Sequence, residues 1–244
     1  MKRRIACLFL AVIYLMLVAL PARGAEAEIP IYRHVNTTEK VIALTFDDGP
    51  HPKVTDKILD LLAEYDAKAT FFVVGKNVEL YGRATARAVR EGHEIGNHTY
   101  AHPSIGGLGC AEIACELLRT EALVEELTGK SCHIFRPPGG ECTKEAQLAA
   151  LGNGFSLVLW NIDTRDWAGV SSSEIVKNVM SNAAPGSVIL FHDYVGKEAG
   201  TIDALKEILP RLSAAGYRFV TVSELLSYSA SASDSSGGAS SSRP

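Results

Sequence analysis

Val41-Ile42-Ala43-Leu44-Thr45-Phe46-Asp47-Asp48-Gly49-Pro50 organises the reading of the whole chain. Val41 to Phe46 is a short apolar run of the kind a buried strand makes, two carboxylates end it, and Gly-Pro forces a turn. Immediately downstream, Thr55 to Tyr65 carries Ile58, Leu59, Leu61 and Leu62 at helical spacing. Strand followed by helix then recurs. Further strands are expected at Ala69 to Val74, Glu94 to Gly96, His133 to Arg136, Phe155 to Trp160, Val188 to Phe191 and Arg218 to Val220. Helices are expected at Glu79 to Arg90, Ala111 to Thr128, Lys144 to Leu151, Ser173 to Asn182 and Thr201 to Ala214. Such alternation implies a parallel sheet covered by helices, with about seven strands. Periodicity alone does not choose between a closed barrel and an open, doubly wound sheet. Polar residues at the strand ends do: Asp47-Asp48, Asn97-His98, Arg136, Asp163 and His192 each follow a strand, and a βα-barrel gathers such residues on one face. An open sheet would gather only those near its switch point. The expected fold is α/β, a distorted (β/α) barrel.

Of 244 residues, 47% are hydrophobic and 21% charged, with mean hydropathy +0.09. This is a globular composition with one domain's worth of core. Lys plus Arg number 24 against 28 Asp plus Glu, a net charge of −4, which gives no electrostatic footprint for nucleic acid. The ends differ from the middle. Lys2, Arg3 and Arg4 precede the apolar run Ile5 to Leu20, which Pro21 closes, and small residues offer cleavage after Gly24 or Ala27. That is the shape of a secretory signal. The alternative is an uncleaved anchor through residues 5–20, a run just short of the roughly 17 to 25 residues that span a bilayer. Removing residues 1–27 takes four basic groups and one acid from −4 and leaves −7. Residues 229–244 are Ser-rich and offer almost nothing to bury, so a disordered tail is expected there. The folded domain is placed at 28–228, secreted or extracytoplasmic, and a monomer.

Three further segments carry candidate chemistry. In Asn97-His98-Thr99-Tyr100-Ala101-His102, two imidazoles stand four residues apart, a separation that lets them share one metal. With one Asp of the 47–48 pair they form a two-His, one-carboxylate set that leaves positions open for water and substrate. In Phe135-Arg136-Pro137-Pro138-Gly139-Gly140, the prolines fix an extended backbone and the glycines let a ligand approach bare N–H groups, which suits a developing oxyanion. Asp163-Thr164-Arg165-Asp166-Trp167 and Leu190-Phe191-His192-Asp193 complete the set, with His192 a candidate general acid. His34, His51, His93 and His133 are read as structural or solvated.

Taken in order, TFDDGP (45–50), HTYAH (98–102), RPPGG (136–140), DTRDW (163–167) and LFHD (190–193) resemble the five motifs of the polysaccharide deacetylase family, the NodB-homology domain of family 4 carbohydrate esterases. The resemblance runs from about Val41 to Val222. It implies a distorted (β/α) barrel of the glycoside hydrolase-deacetylase type and metal-dependent removal of acetyl groups, usually from N-acetylated sugars. Carried over by position, Asp48, His98 and His102 would hold the metal. Asp47 would be the base, Arg136 would hold that base, and His192 would be the acid, paired with Asp166. Trp167 and Leu190 would line the pocket for the acetyl methyl. The implied mechanism is attack by a metal-bound water, with the oxyanion held by the metal and the Gly139 N–H. Zinc is the first choice from the ligand types, with cobalt or nickel also accepted. One departure stands out: the residue after the two prolines is commonly larger, often aromatic, and here it is Gly139, so a wall beside the sugar is missing.

The function expected is N-deacetylation of an extracellular glycan, peptidoglycan ahead of chitin oligomers. Hydrolysis of a non-sugar amide on the same site, or glycan binding without catalysis, are the alternatives. Outside the signal run, Cys110, Cys115, Cys132 and Cys142 are an even number in an exported chain and invite disulfides. Barrel topology places Cys110 or Cys115 near Cys142, and Cys132 at the opposite end.

Overall fold

A computed structural model describes residues 29–194 and 200–234. The candidate signal or anchor, and the tail from residue 235 onward, lie outside the described residues. The strands are β1 (Ile31–Tyr32), β2 (Val41–Asp47), β3 (Ala69–Val73), β4 (Glu94–Asn97), β5 (Ile134–Phe135), β6 (Ser156–Val158), β7 (Ile162–Asp163), β8 (Val188–His192) and β9 (Arg218–Phe219). The helices are α1 (Val54–Glu64), α2 (Gly75–Arg90), α3 (Cys110–Thr128), α4 (Lys144–Gly152), α5 (Ser172–Asn182), α6 (Thr201–Ala214) and α7 (Val222–Asp234). All ladders between these strands are parallel, in the order β1-β6-β5-β4-β3-β2-β8-β7, with β9 also on β2. The strand expected at Phe155 to Trp160 is two short ones. β6 pairs with β5 and β1, and after residues 159–161 the same chain pairs with β8 as β7. At the lower end β1 wedges into the gap: His34 bridges Ser187, and the Val35 N–H donates to Gly186 O at 3.0 Å. The ring therefore closes unevenly, which is the distortion of this barrel.

β2 is buried along its whole length, and its two faces do different work. Ile42, Leu44 and Phe46 point outward into the main core with Phe71, Ile189, Phe191 and the inner faces of the helices. Phe46 stacks between Phe71 and Phe191 at centroid distances of 5.1 and 5.6 Å. Val41 and Ala43 point inward, into a second cluster with Phe72, Ile134, Val158, Val188, Val220, Val222 and Leu225. Alternation then carries Thr45 and Asp47 into the barrel above that cluster. The interior thus changes from apolar at its floor to polar at its mouth along one strand.

The floor includes a helix that the sequence reading does not place. Val222 and Leu225 of α7 are fully buried against the barrel interior, with Leu226 and Tyr228 packed beside them, and the helix continues to Asp234, past the boundary drawn at 228. The serines between these apolar positions face away from the barrel side of α7, so composition hides its helical spacing. The cysteines also differ from expectation. Cys110, Cys115, Cys132 and Cys142 are all free: Cys110 and Cys115 are exposed on α3, whereas Cys142 is half-buried, packed against the main core. Burial raises the Cys132 thiol to about 12, so it is an inert core side chain.

Candidate active site

The parallel register delivers the candidate residues to one end of the barrel. Asp47 is level with His192 across β2 and β8, Asn97 is level with Phe135 across β4 and β5, and Asp163 is level with Leu190 across β7 and β8. Just past β2 the chain turns sharply at Asp48, whose φ of +75° is left-handed. That turn separates two sequence neighbours. Asp47 stays in the strand and faces the barrel axis, while Asp48 swings toward the loop after β4.

In that loop, His98 Nε2 lies 3.4 Å and His102 Nε2 3.2 Å from Asp48 Oδ1. One ligand atom from each of the three residues falls within 4.8 Å of the others. His98 Nδ1 is 2.7 Å from the Arg136 carbonyl, an oxygen that can only accept, so Nδ1 carries the proton and Nε2 presents its lone pair. Asp48 Oδ1 is buried and has no hydrogen-bond donor. Lone pairs converging on one point repel unless a cation lies among them. The donor set, two imidazole nitrogens and a carboxylate oxygen, fits a borderline divalent ion such as zinc and would equally take cobalt or nickel.

Asp47 is buried and has a different partner. Arg136 Nη1 donates to Asp47 Oδ1 at 2.7 Å and to Thr45 Oγ1 at 2.8 Å. The guanidinium is fully buried: its Nε donates to Val158 O, its Nη2 donates to Leu159 O, and its carbon sits 4.1 Å from the centre of the Phe72 ring. Burying such a pair is tolerated because its donors are met. The contact fixes the carboxylate's orientation and leaves Oδ2 on the cavity side, 3.8 Å from His98 Nε2.

The opposite wall is built around Asp166, which is fully buried. Asp166 Oδ1 is 2.8 Å from His192 Nδ1 and accepts from the Trp167 N–H at 2.9 Å; Oδ2 accepts from the His192 N–H at 2.9 Å and from Thr201 Oγ1 at 2.8 Å. Burial opposes the His192 charge, but Asp166 and the nearby Asp47 outweigh it and raise the imidazole to about 9. With Nδ1 engaged, Nε2 is the donor left for the cavity.

The cavity between these walls measures about 410 Å³, a usual size for a small-molecule site. Asp47, Asp48, His98, His102, Gly139, Trp167, Leu190 and His192 all line it. Arg136 and Asp166 lie behind it. The structure therefore brings every candidate residue to one place. It adds Trp160 and Asp163 to the lining. Trp160 follows β6 and backs onto Gly140, so an indole from a neighbouring loop stands beside the gap that Gly139 leaves. Its signal in the sequence was faint, because a Trp at the end of an apolar run reads as core. Asp193, fully buried under the Asp48 turn, was also missed. It accepts from Thr55 Oγ1 at 2.5 Å, and burial raises it to about 7. It fills the space a side chain at Gly49 would need. The remaining histidines are structural or exposed: His51 Nδ1 accepts from the first amides around α1, and burial lowers His93 to about 4.

Comparison with known proteins gives a consistent result. A family model described as polysaccharide deacetylase matches residues 34–158. Two peptidoglycan-N-acetylglucosamine deacetylases of Bacillus cereus are 43% and 42% identical to the chain over 74% and 80% of its length, matches that span 66% and 92% of those relatives. The peptidoglycan-N-acetylmuramic acid deacetylase PdaC of Bacillus subtilis is 38% identical over 81% of the chain, and the match spans 41% of that relative. Among solved structures, a peptidoglycan N-acetylglucosamine deacetylase superposes with a TM-score of 0.77 at 40% identity, covering 80% of this chain and 92% of the other. A family 4 acetyl xylan esterase from Clostridium thermocellum, in complex with a cobalt ion, gives 0.71 at 33% identity, covering 77% and 91%. A CE4 family pseudoenzyme from Bacillus anthracis gives 0.74 at 29% identity, covering 80% and 68%.

Proposed function

The chain belongs to the polysaccharide deacetylase family, and on that premise we propose that it is a metal-dependent hydrolase that removes N-acetyl groups from peptidoglycan outside the cytoplasm. The likeness extends to a pseudoenzyme, so fold alone does not carry catalysis; the reading rests on the residues. The observation that carries it is the convergence of Asp48, His98 and His102 on one point, with a buried Asp48 oxygen that has no donor, beside a separately anchored acid and base.

A divalent cation held by Asp48, His98 and His102 would polarise the acetyl carbonyl and acidify water near it. The protein groups supply the rest. Asp47, held in place by the Arg136 guanidinium at 2.7 Å, takes the proton of the attacking water. The Gly139 N–H, on a backbone held at φ +63°, donates to the oxyanion as the carbonyl carbon becomes tetrahedral. His192 Nε2 gives its proton to the departing sugar amine, and Asp166 steadies the imidazolium beforehand. Trp167 and Leu190 give the acetyl methyl an apolar seat. All of these side chains come from one chain, which supports action as a monomer. Export rests on the basic-then-apolar start at residues 2–20; no helix among the described residues is long and apolar enough to cross a membrane.

The test is acetate release from peptidoglycan and from chitin oligomers by the full chain, stripped of metal and then given zinc, beside Asp48→Ala. Zinc-dependent release from peptidoglycan that vanishes in the variant is the expected result. Tight zinc binding without release from either glycan would overturn the glycan reading. Fractionation of cells expressing the tagged full chain checks export.

A further inference from the structure

Three ligand residues form the candidate metal centre, but they are not held equally. Asp48 is set by the turn after a buried strand, and His98 by its Nδ1 contact to the Arg136 carbonyl. His102 is the most exposed of the three, with its side chain 43% accessible, and it ends a loop with two left-handed non-glycine residues, Thr99 at φ +67° and His102 at φ +53°. L-residues leave that conformation unless surrounding contacts over-determine it.

Two helices grip the loop from opposite sides. The first amides of α2 reach its carbonyls: Gly75 N–H donates to Thr99 O at 3.0 Å and Lys76 N–H to Tyr100 O at 2.9 Å. Gly75 is needed at that contact, since a Cβ there would lie 2.6 Å from the Tyr100 ring. From α3, a single carboxylate oxygen, Glu116 Oε2, accepts from the Tyr100 N–H at 3.0 Å and the Ala101 N–H at 2.7 Å. These are the two residues immediately before His102. Glu116 does not line the cavity and touches none of the reacting groups. On sequence alone it is one of several acids on an exposed helix.

We infer that Glu116 is a positioning residue, whose paired acceptance of the Tyr100 and Ala101 amides holds the 99–102 loop in its left-handed form and so places His102 Nε2 within reach of the ion held by Asp48 and His98. The inference rests on the metal reading above. What it requires is an acceptor at the right reach rather than a charge. Glutamine keeps that acceptor; aspartate keeps the charge but is a methylene short. Arg119, which stacks on the Tyr100 ring at 3.3 Å, touches the same loop without bonding its backbone, and serves as the control.

The experiment measures zinc affinity of the full chain by competition with a chromophoric chelator, together with the visible spectrum of the cobalt-substituted protein. Glu116→Ala and Glu116→Asp should each weaken zinc by about 10-fold or more, the size seen when an outer partner of a metal ligand is removed, and should alter the cobalt bands. Glu116→Gln and Arg119→Ala should keep wild-type affinity and spectrum. Asp48→Ala should abolish binding, which tests the centre itself without any glycan. Wild-type affinity and spectrum in Glu116→Asp, or equal loss in Glu116→Gln and Glu116→Asp, would overturn the inference even if Glu116→Ala fails to fold. A wild-type chain that binds no zinc would overturn the metal reading and this inference with it.

Discussion

The two walls of the cavity are built on opposite principles. On one side His192 rests on Asp166, and Asp166 in turn accepts from the Trp167 and His192 amides and the Thr201 hydroxyl, so the acid wall is satisfied as it stands. On the other side Asp48, Thr99 and His102 are all left-handed, and the Asp48 oxygen that faces the two imidazoles has no donor. One wall is complete in itself; the other is complete only with a cation. A site can thus lose its metal while keeping its acid poised, and the two halves can be broken separately.

The largest expected effect comes from breaking the incomplete wall. Asp48→Ala removes the oxygen on which both imidazoles converge, and should reduce zinc binding and acetate release together to the detection limit. In the wild type, chelation should do the same reversibly. Because only the folded state presents the three ligands, zinc at 100 times its dissociation constant should stabilise the wild type by about 2.7 kcal/mol and Asp48→Ala not at all. Thermal melts with and without zinc read the difference. If zinc stabilises Asp48→Ala as much as wild type, the ion binds elsewhere.

Breaking the complete wall should cost less and leave the metal in place. Asp166→Asn removes the charge that holds the imidazolium, so kcat should fall by about 100- to 10,000-fold, the usual range for a positioned acid, with zinc affinity unchanged. The sign of the pH dependence follows from the direction of the shift. The His192 imidazole is raised from 6.5 to about 9, so a step that needs its proton proceeds through neutral pH and fails as pH rises through about 9. In Asp166→Asn that alkaline limb should move to lower pH. The same raised value makes the contribution to folding stability full below about 6.5 and lost as pH rises through about 9. Profiles of kcat against pH for the two proteins check this; identical limbs would detach Asp166 from the acid.

What the sequence made legible follows the same division. The strand-end residues could be read because an apolar run that stops on a carboxylate, imidazole or guanidinium is a strong local contrast, and parallel register brings such ends together. Asp47, His98, Arg136 and His192 were found that way. Which carboxylate does which job is given by the family resemblance and not by the residues themselves, because Asp47 and Asp48 are neighbours and only the left-handed turn at Asp48 sends one to Arg136 and the other to the imidazoles. Supports were harder still. Asp193 and Glu116 act through contacts at separations of 138 and 15 or 16 residues; Asp193 closes the LFHD motif but its partner Thr55 is remote, and nothing near Glu116 marks it. The barrel floor was missed for a compositional reason: α7 has an apolar stripe in a Ser-rich segment, and only packing beneath β2 reveals it.

The smallest expected effect concerns the span between the walls, where Gly139 and Gly140 sit side by side at φ +63° and +72°. An alanine at either pays the left-handed penalty of about 1–2 kcal/mol, so backbone strain alone predicts equal losses of stability. Their surroundings are unequal. A Cβ on Gly139 would meet only Glu141 Cγ at 3.9 Å, whereas one on Gly140 would come within 2.9 Å of the Trp160 ring. Gly140→Ala should therefore shift the indole that lines the cavity and raise KM for the glycan, while Gly139→Ala should lower Tm by the backbone penalty alone, less than Gly140→Ala, with KM little changed. If both variants raise KM alike, the gap at Gly139 is itself in contact with substrate, and the open side of the cavity belongs to the sugar rather than to Trp160.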